Sequence, residues 1–233
     1  MTAEQRALRE AVAGLLEKRS PESRVRELMA TDTGHDETLW HDLAEMGLLG
    51  LAIPEAHGGT GAGHTELGII MEEMGRALLC APFLSTAVLA PALLAATGDD
   101  AEQARVLPRI AAGSAIVTLA HAESRSPLVP EHISTRARRC ADGWTLTGAK
   151  NYVLDGVAAD LIYVLAATDD GPAVFAVDRG ADGLTAATLT TVDATRKLTG
   201  LAFADTPARL VGEISSGRSA FTAALEAGGI ALT

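Results

Sequence analysis

The sequence predicts an α+β protein in which a helical part comes first and an antiparallel β part follows. Apolar residues recur at helical spacing through the first 114 residues. From Ala115 onward, short runs rich in Val, Ile, Thr and Leu stand between Gly, Asp and Pro. Helices followed by a run of strands, instead of alternating with them, argue against a doubly wound parallel sheet. A chain of 233 residues, 48% hydrophobic and 21% charged, has the composition of a globular protein with a core.

Thr2 followed by Gln5 matches a capping box, and Leu8, Val12, Leu15 and Leu16 continue the helix it would open. A second helix is expected over Arg24 to Met29. A third over Glu37 to Met46 places Leu39, Trp40, Leu43 and Met46 on one face, with Gly47 as a left-handed stop. A fourth over Glu66 to Leu79 turns Leu67, Ile70, Met71, Met74 and Leu78 inward. Asp99 then caps a helix that runs to Ile110 and ends at Gly113, with Glu102 three residues after the cap. Strands are expected at Ile116 to Ala120, His132 to Cys140, Trp144 to Thr147, Leu161 to Ala167, Ala173 to Val177, Leu184 to Leu189 and Leu198 to Ala204. The stretch from residue 142 to Ala167 reads as two strands joined by a Gly-Lys turn at Gly148 to Lys150, then a third. A final helix over Ser219 to Leu232 carries Phe221, Ala224, Leu225 and Ile230, and the sequence stops inside that pattern.

Several function classes are disfavoured. A formal net charge of −11 is wrong for a surface that must replace phosphate counterions on nucleic acid. Cys80 and Cys140 are too few and too far apart for a disulfide framework, which fits a reducing cytoplasm. The charged start MTAEQRALRE does not resemble a signal peptide, and Pro82 and Pro91 interrupt the most apolar stretch, so no membrane span is expected. The histidines, His35, His41, His57, His64, His121 and His132, lack the spacing of metal ligands. No serine sits in a GxSxG elbow. Alternation along the 136–140 strand puts Arg136 and Arg138 on one solvated face, which is favoured over attraction of coenzyme A phosphates.

Three segments resemble the acyl-CoA dehydrogenase family. DGWTLTGAKNYVLDG, residues 142–156, is similar to the family's DGYVLNGxKxWITNG, and GLLGLAIPEAHGGTGAG, residues 47–63, to its GLxGLxxPEExGGxG. The glycines of the latter also partly mimic a dinucleotide fingerprint, but a helix and Pro54 precede them where a strand is required. VTLAHAESRSPLV, residues 117–129, aligns with the family's ALTEPGAGSD without a gap to Gly148 and Lys150 when Glu123 takes the place of its Glu. The resemblance covers essentially the whole chain. It implies an α+β multidomain fold: an all-α N-terminal bundle at 1–114, an antiparallel β-barrel-like middle domain at 115–212, and the start of a truncated C-terminal helical domain at 213–233.

It also implies an oxidoreductase that introduces an α,β double bond into an acyl-CoA thioester with FAD as hydride acceptor, working as a homo- or hetero-oligomer in the cytoplasm. His121, Ala122, Tyr152, Val153 and Leu154 fall at the family's flavin-binding positions, and Leu128 at the Ser that reaches flavin and substrate. Ala122 and Leu154 replace residues that bear hydroxyls in the family, while Tyr152 keeps an aromatic ring able to stack on the flavin. The family's catalytic Glu lies in the helical part beyond this sequence, so no catalytic residue is assigned. Such a chain alone is expected to be inactive. These replacements lean toward the alternative of a non-flavin partner subunit, as in some actinobacterial heteromeric relatives, with FAD lost from this chain.

Overall fold

The computed structural model describes residues 1–123, 129–141 and 143–232. Four helices open it: α1 (Ala3–Arg19), α2 (Glu22–Met29), α3 (Glu37–Glu45) and α4 (His64–Arg76). The capping box forms as expected, with the Gln5 N–H donating to Thr2 Oγ1 at 3.2 Å and the Thr2 N–H to Gln5 Oε1 at 2.8 Å. Gly47 ends the third-helix region with φ +73°. Leu78 departs from expectation. It lies past the end of α4 at φ +49° and is 59% exposed, because the chain has already left the helical spiral that would carry it inward.

Between α4 and the next expected helix lies a helical stretch that has no counterpart among the expected elements, a π-helical turn at Leu84–Leu89 continuing into α5 (Ala90–Thr97). Pro91, which reads as a helix breaker in the sequence, accounts for the geometry. It lacks the N–H that would bond the Ala87 carbonyl, and its ring crowds that carbonyl, so the preceding turn widens. α6 (Asp100–Ala111) follows, capped by Asp99 as expected. One Asp99 oxygen takes the Glu102 N–H at 2.9 Å and the other the Gly212 N–H at 3.0 Å, so the cap also ties the helix to the β part.

The strands are β1 (Val117–Ala120), β2 (Arg136–Cys140), β3 (Gly143–Leu154), β4 (Leu161–Thr168), β5 (Gly171–Asp178), β6 (Leu184–Leu189) and β7 (Leu198–Val211), and α7 (Gly217–Ala231) comes last. β4, β2, β3, β7 and β5 close into a ring, since β5 pairs with both β7 and β4, while β1 adds to β4 and β6 to β7. The antiparallel expectation needs correcting at two pairings: β1 with β4, and β2 with β4 at Arg136↔Ala167, are parallel. The Gly-Lys turn is also overturned. Gly148 to Lys150 lie inside the single long strand β3, where Gly148 at φ +144° lets Thr135 approach; an added Cβ would stand 2.7 Å from the Thr135 Cα.

β4 is an unbroken apolar run because both of its faces are covered. Ile162, Val164 and Ala166 pack in one cluster with Leu146, Val153 and Phe175, whereas Leu161, Tyr163 and Leu165 pack in another with Leu93, Val106, Leu107 and Phe221 from the helices. β5 divides the same way, with Phe175 and Val177 in the first cluster and Val174 and Ala176 in the second. Period-two alternation thus assigns each residue to the barrel interior or to the helix-facing layer.

The two layers are joined by polar bonds. Thr86 Oγ1 donates to the Val117 carbonyl and accepts from the Val117 N–H, both at 3.0 Å, satisfying the outer edge of β1. Tyr163, fully buried, donates its hydroxyl to Glu102 Oε1 at 2.9 Å. Tyr163→Phe deletes that bond without changing the packing volume and leaves a buried carboxylate short of a donor. It should lower the unfolding free energy by about 1–3 kcal/mol, with Val106→Ala, a cavity in the same layer, as a calibrating variant in denaturant titration. An unchanged midpoint for Tyr163→Phe would show that the bond does not couple the layers.

Candidate functional site

The predicted site residues come together where β1 and β3 end side by side. β1 stops at Ala120, and residues 121–123 then run past the second irregularity of β3, a register shift against β7 between Lys150 and Val153. The Asn151 N–H donates to the Ala122 carbonyl at 2.9 Å and fixes the two segments together. Inside the bulge Tyr152 takes a left-handed backbone at φ +56° and is 38% exposed. For a bulky residue this conformation is strained and is held by its surroundings. Tyr152 is thus an aromatic of strand β3 that the bulge leaves partly exposed. Ala122 and Val153 are buried, and Leu154 is half-buried. Leu128 lies outside the described residues.

Under this junction sits a buried ion pair. The Lys150 side chain has no exposed surface, and its Nζ donates to Glu123 Oε1 at 2.7 Å and to the His121 carbonyl at 3.2 Å. Glu123 also accepts from the Ser134 N–H at 2.7 Å, from the Ser134 hydroxyl, and from the Thr135 N–H at 2.9 Å. Burial by itself would raise the Glu123 carboxyl, but the Lys150, Ser134 and Thr135 donors override it and bring it down to about 2. Burial lowers the Lys150 ammonium, against the pull of Glu123. A carboxylate so fully occupied and so weakly basic is a poor general base and acts as a structural clamp.

Two further groups, not singled out from the sequence, flank the site. Asp155, directly after Leu154 and left-handed at φ +55°, accepts from Ser85 Oγ at 2.6 Å. Burial pushes its carboxyl up to about 6, opposed by the Ser85 bond and by nearby Arg196. The Asp-Gly pair at 155–156 was the available signal, since it marks a left-handed turn. The His121 ring lies 5.9 Å from that of Phe221, which brings α7 to the same place.

Toward a flavin ring this junction offers few free side-chain polar groups. Ala122 and Leu154 offer no side-chain polar atom, and the carbonyls that remain are engaged: His121 by Lys150, Ala122 by the Asn151 N–H and Leu154 by Thr118 Oγ1. Among the described residues of the junction, the Tyr152 ring is suited to stacking.

The first half of the chain, residues 2–114, matches the family model described as acyl-CoA dehydrogenase, N-terminal domain. Acyl-CoA dehydrogenase FadE12 of Mycobacterium tuberculosis is 32% identical over 190 residues, covering 77% of this chain and 48% of the relative. Among solved structures, a variant of the Tcur3481-Tcur3483 steroid acyl-CoA dehydrogenase superposes with a TM-score of 0.84 at 32% identity, covering 98% of this chain and 62% of its own. The ChsE4-ChsE5 complex from Mycobacterium tuberculosis gives a TM-score of 0.83 at 28% identity, covering 96% of this chain and 60% of that one. The chain spans about half the length, or less, of the curated relatives it matches.

The clamp makes two measurable statements. Lys150→Met strands a buried carboxylate and should cost about 3–5 kcal/mol, while adding Glu123→Gln should recover part of that loss, a coupling that a double-mutant cycle reads directly. Because the folded Glu123 titrates near 2 against an ordinary 4.5, its stabilisation is complete above about pH 4.5 and is lost as the pH falls through 2. Thermal unfolding of the wild type should therefore fall more steeply across that window than that of Glu123→Gln. Parallel curves would contradict the clamp.

Proposed function

Because the chain belongs to the acyl-CoA dehydrogenase family, we propose that the complete protein serves the α,β-dehydrogenation of an acyl-CoA thioester as a subunit whose own flavin face has lost its hydroxyls. It would work beside a second acyl-CoA dehydrogenase chain that keeps them. The observation that carries this reading is Ala122, buried at 2% exposure with only a methyl group where the family places a flavin-bonding hydroxyl. Leu154 repeats the pattern on β3, and Leu128 does so in the sequence. The structural neighbour named as a complex of two differently named proteins supports a hetero-oligomer, and the steroid named for the other makes a steroid-derived thioester a candidate substrate class.

FAD is the group that accepts hydride in this chemistry. What this chain contributes in the proposed assembly is a rigid wall: the Glu123–Lys150 clamp holds residues 121–123 against β3, and Tyr152 presents an aromatic face. A cytoplasmic location belongs to the same reading, with Cys80 and Cys140 both unpaired. So does a division at 114/115 and 212/213, supported at the first boundary by the extent of the family match.

The second reading is a flavin-binding dehydrogenase in its own right. The exposed, strained Tyr152 favours it, since strain of this kind collects at functional sites.

Restoring hydroxyls separates the two. In the full-length protein with its natural partner, Ala122→Thr and Leu154→Thr together should tighten FAD binding by about 2 kcal/mol, roughly thirtyfold, at about 1 kcal/mol per hydrogen bond. Equal affinity for wild type and double variant in an FAD titration would refute the degenerate-face reading. Acyl-CoA turnover by the wild-type chain alone would do the same.

A further inference from the structure

The far end of the barrel carries a feature that the flavin face does not explain. β2 meets β4 at a single pairing, Arg136↔Ala167, so among the described residues the edge of β2 from Ala137 to Cys140 pairs with no strand. The gap is a groove of about 700 Å³ between that edge and the β4–β5 hairpin tip, within the range of small-molecule sites. Its lining includes Arg136, Arg138, Arg139, Trp144, Asp169 and Asp170. Among the described residues, none of the three arginines makes an ion pair or a side-chain hydrogen bond, although the chain carries a net charge of −11 and elsewhere pairs most of its arginines with acids.

Three unpaired guanidiniums within four residues repel one another and gain nothing from their neighbours. Arg136 and Arg138 extend to one side of β2, and Arg139 lies opposite Trp144 in the β2–β3 register, sharing its face. The half-buried Trp144 ring is backed by Phe175, centroids 5.3 Å apart. Guanidinium forks match phosphate oxygens, an aromatic platform matches a planar base, and the two carboxylates of the hairpin match hydroxyl and amino donors. A pure polyanion would meet Asp169 and Asp170 as a penalty; a molecule with phosphates at one end and hydrogen-bond donors at the other would not.

We propose that this groove is a binding site for a nucleoside diphosphate group, with the phosphates on Arg136 and Arg138 at the open edge of β2 and the base between Arg139 and Trp144, which share the other face. The site is separate from the flavin face. Thr145, opposite Arg138, precedes Tyr152 by seven residues on β3, roughly 23 Å at strand rise. The assignment therefore stands whether or not the chain binds FAD.

The test is calorimetric titration of the wild-type chain with ADP, pyrophosphate, adenosine and a Glu-rich peptide, with tryptophan emission followed in parallel. ADP should bind saturably and more tightly than pyrophosphate or adenosine, with affinity falling as salt rises, and should quench an emission that Trp144→Phe removes and the buried Trp40 does not supply. Arg136→Gln with Arg138→Gln should weaken ADP at least tenfold while leaving the thermal midpoint unchanged, because both side chains are exposed and unpaired. Coenzyme A in a separate arm distinguishes a free nucleotide from an ADP group carried on a larger molecule, and binding of either supports the assignment when the double arginine variant weakens it. No saturable ADP binding at millimolar concentration, ADP affinity unchanged in the double variant, or binding of the Glu-rich peptide in place of ADP would overturn it.

Discussion

A lysine with no exposed surface is expensive to fold around, and the arrangement of the barrel's end depends on how Lys150 is satisfied. Taking an ammonium and a carboxylate out of water costs several kcal/mol per ion, and the cost is met only when geometry is good and the remaining hydrogen-bonding capacity is filled. Here it is filled. Glu123 collects donors from Lys150, Ser134 and Thr135, and Lys150 gives a second bond to the His121 carbonyl. One ion pair thereby fixes the exit of β1, the approach to β2 and the centre of β3. A one-residue slip of β3 would point Lys150 to the other face and leave Glu123 buried alone, so the pair also sets register.

The same clamp explains how the wall keeps its shape while its surface changes. The bulge at Asn151 and Tyr152 is held from behind, through the Asn151 N–H on Ala122 and the Lys150 bond on His121, and none of these contacts uses the side chain of Ala122 or Leu154. Replacement at those two positions can therefore remove side-chain chemistry without disturbing the backbone. Scaffold and surface chemistry are carried by different atoms, so the backbone of this fold can persist while those two side chains vary.

Much of the fold was legible because its signals are local. Thr2 with Gln5, and Asp99 with Glu102, announce helix starts through bonds made within one turn, and the apolar run of β4 announces a strand covered on both faces. What was misread depends on distant partners. Gly148 looks like a turn residue, yet its missing Cβ makes room for Thr135, thirteen residues away and on the neighbouring segment. Lys150 looks like a solvated turn residue until Glu123 is known to lie beside it. Pro91 looks like a helix breaker, but a widened π-helical turn before it absorbs the lost bond. Of the site, the family motif brought His121, Ala122 and Tyr152 to Leu154 to one place; the Asp155–Ser85 bond, seventy residues apart in sequence, had no local trace.

The central claim is that this chain retains the wall of a flavin enzyme without the side chains that hold a flavin. Its most direct measurement is the flavin content of the full-length protein, purified alone from cells grown with ample riboflavin, set against the content of the same protein purified with its partner chain. The account predicts a colourless protein alone and a yellow complex in which the number of flavins matches the partner chains only. One tightly bound flavin for each copy of this chain, purified alone, would contradict it.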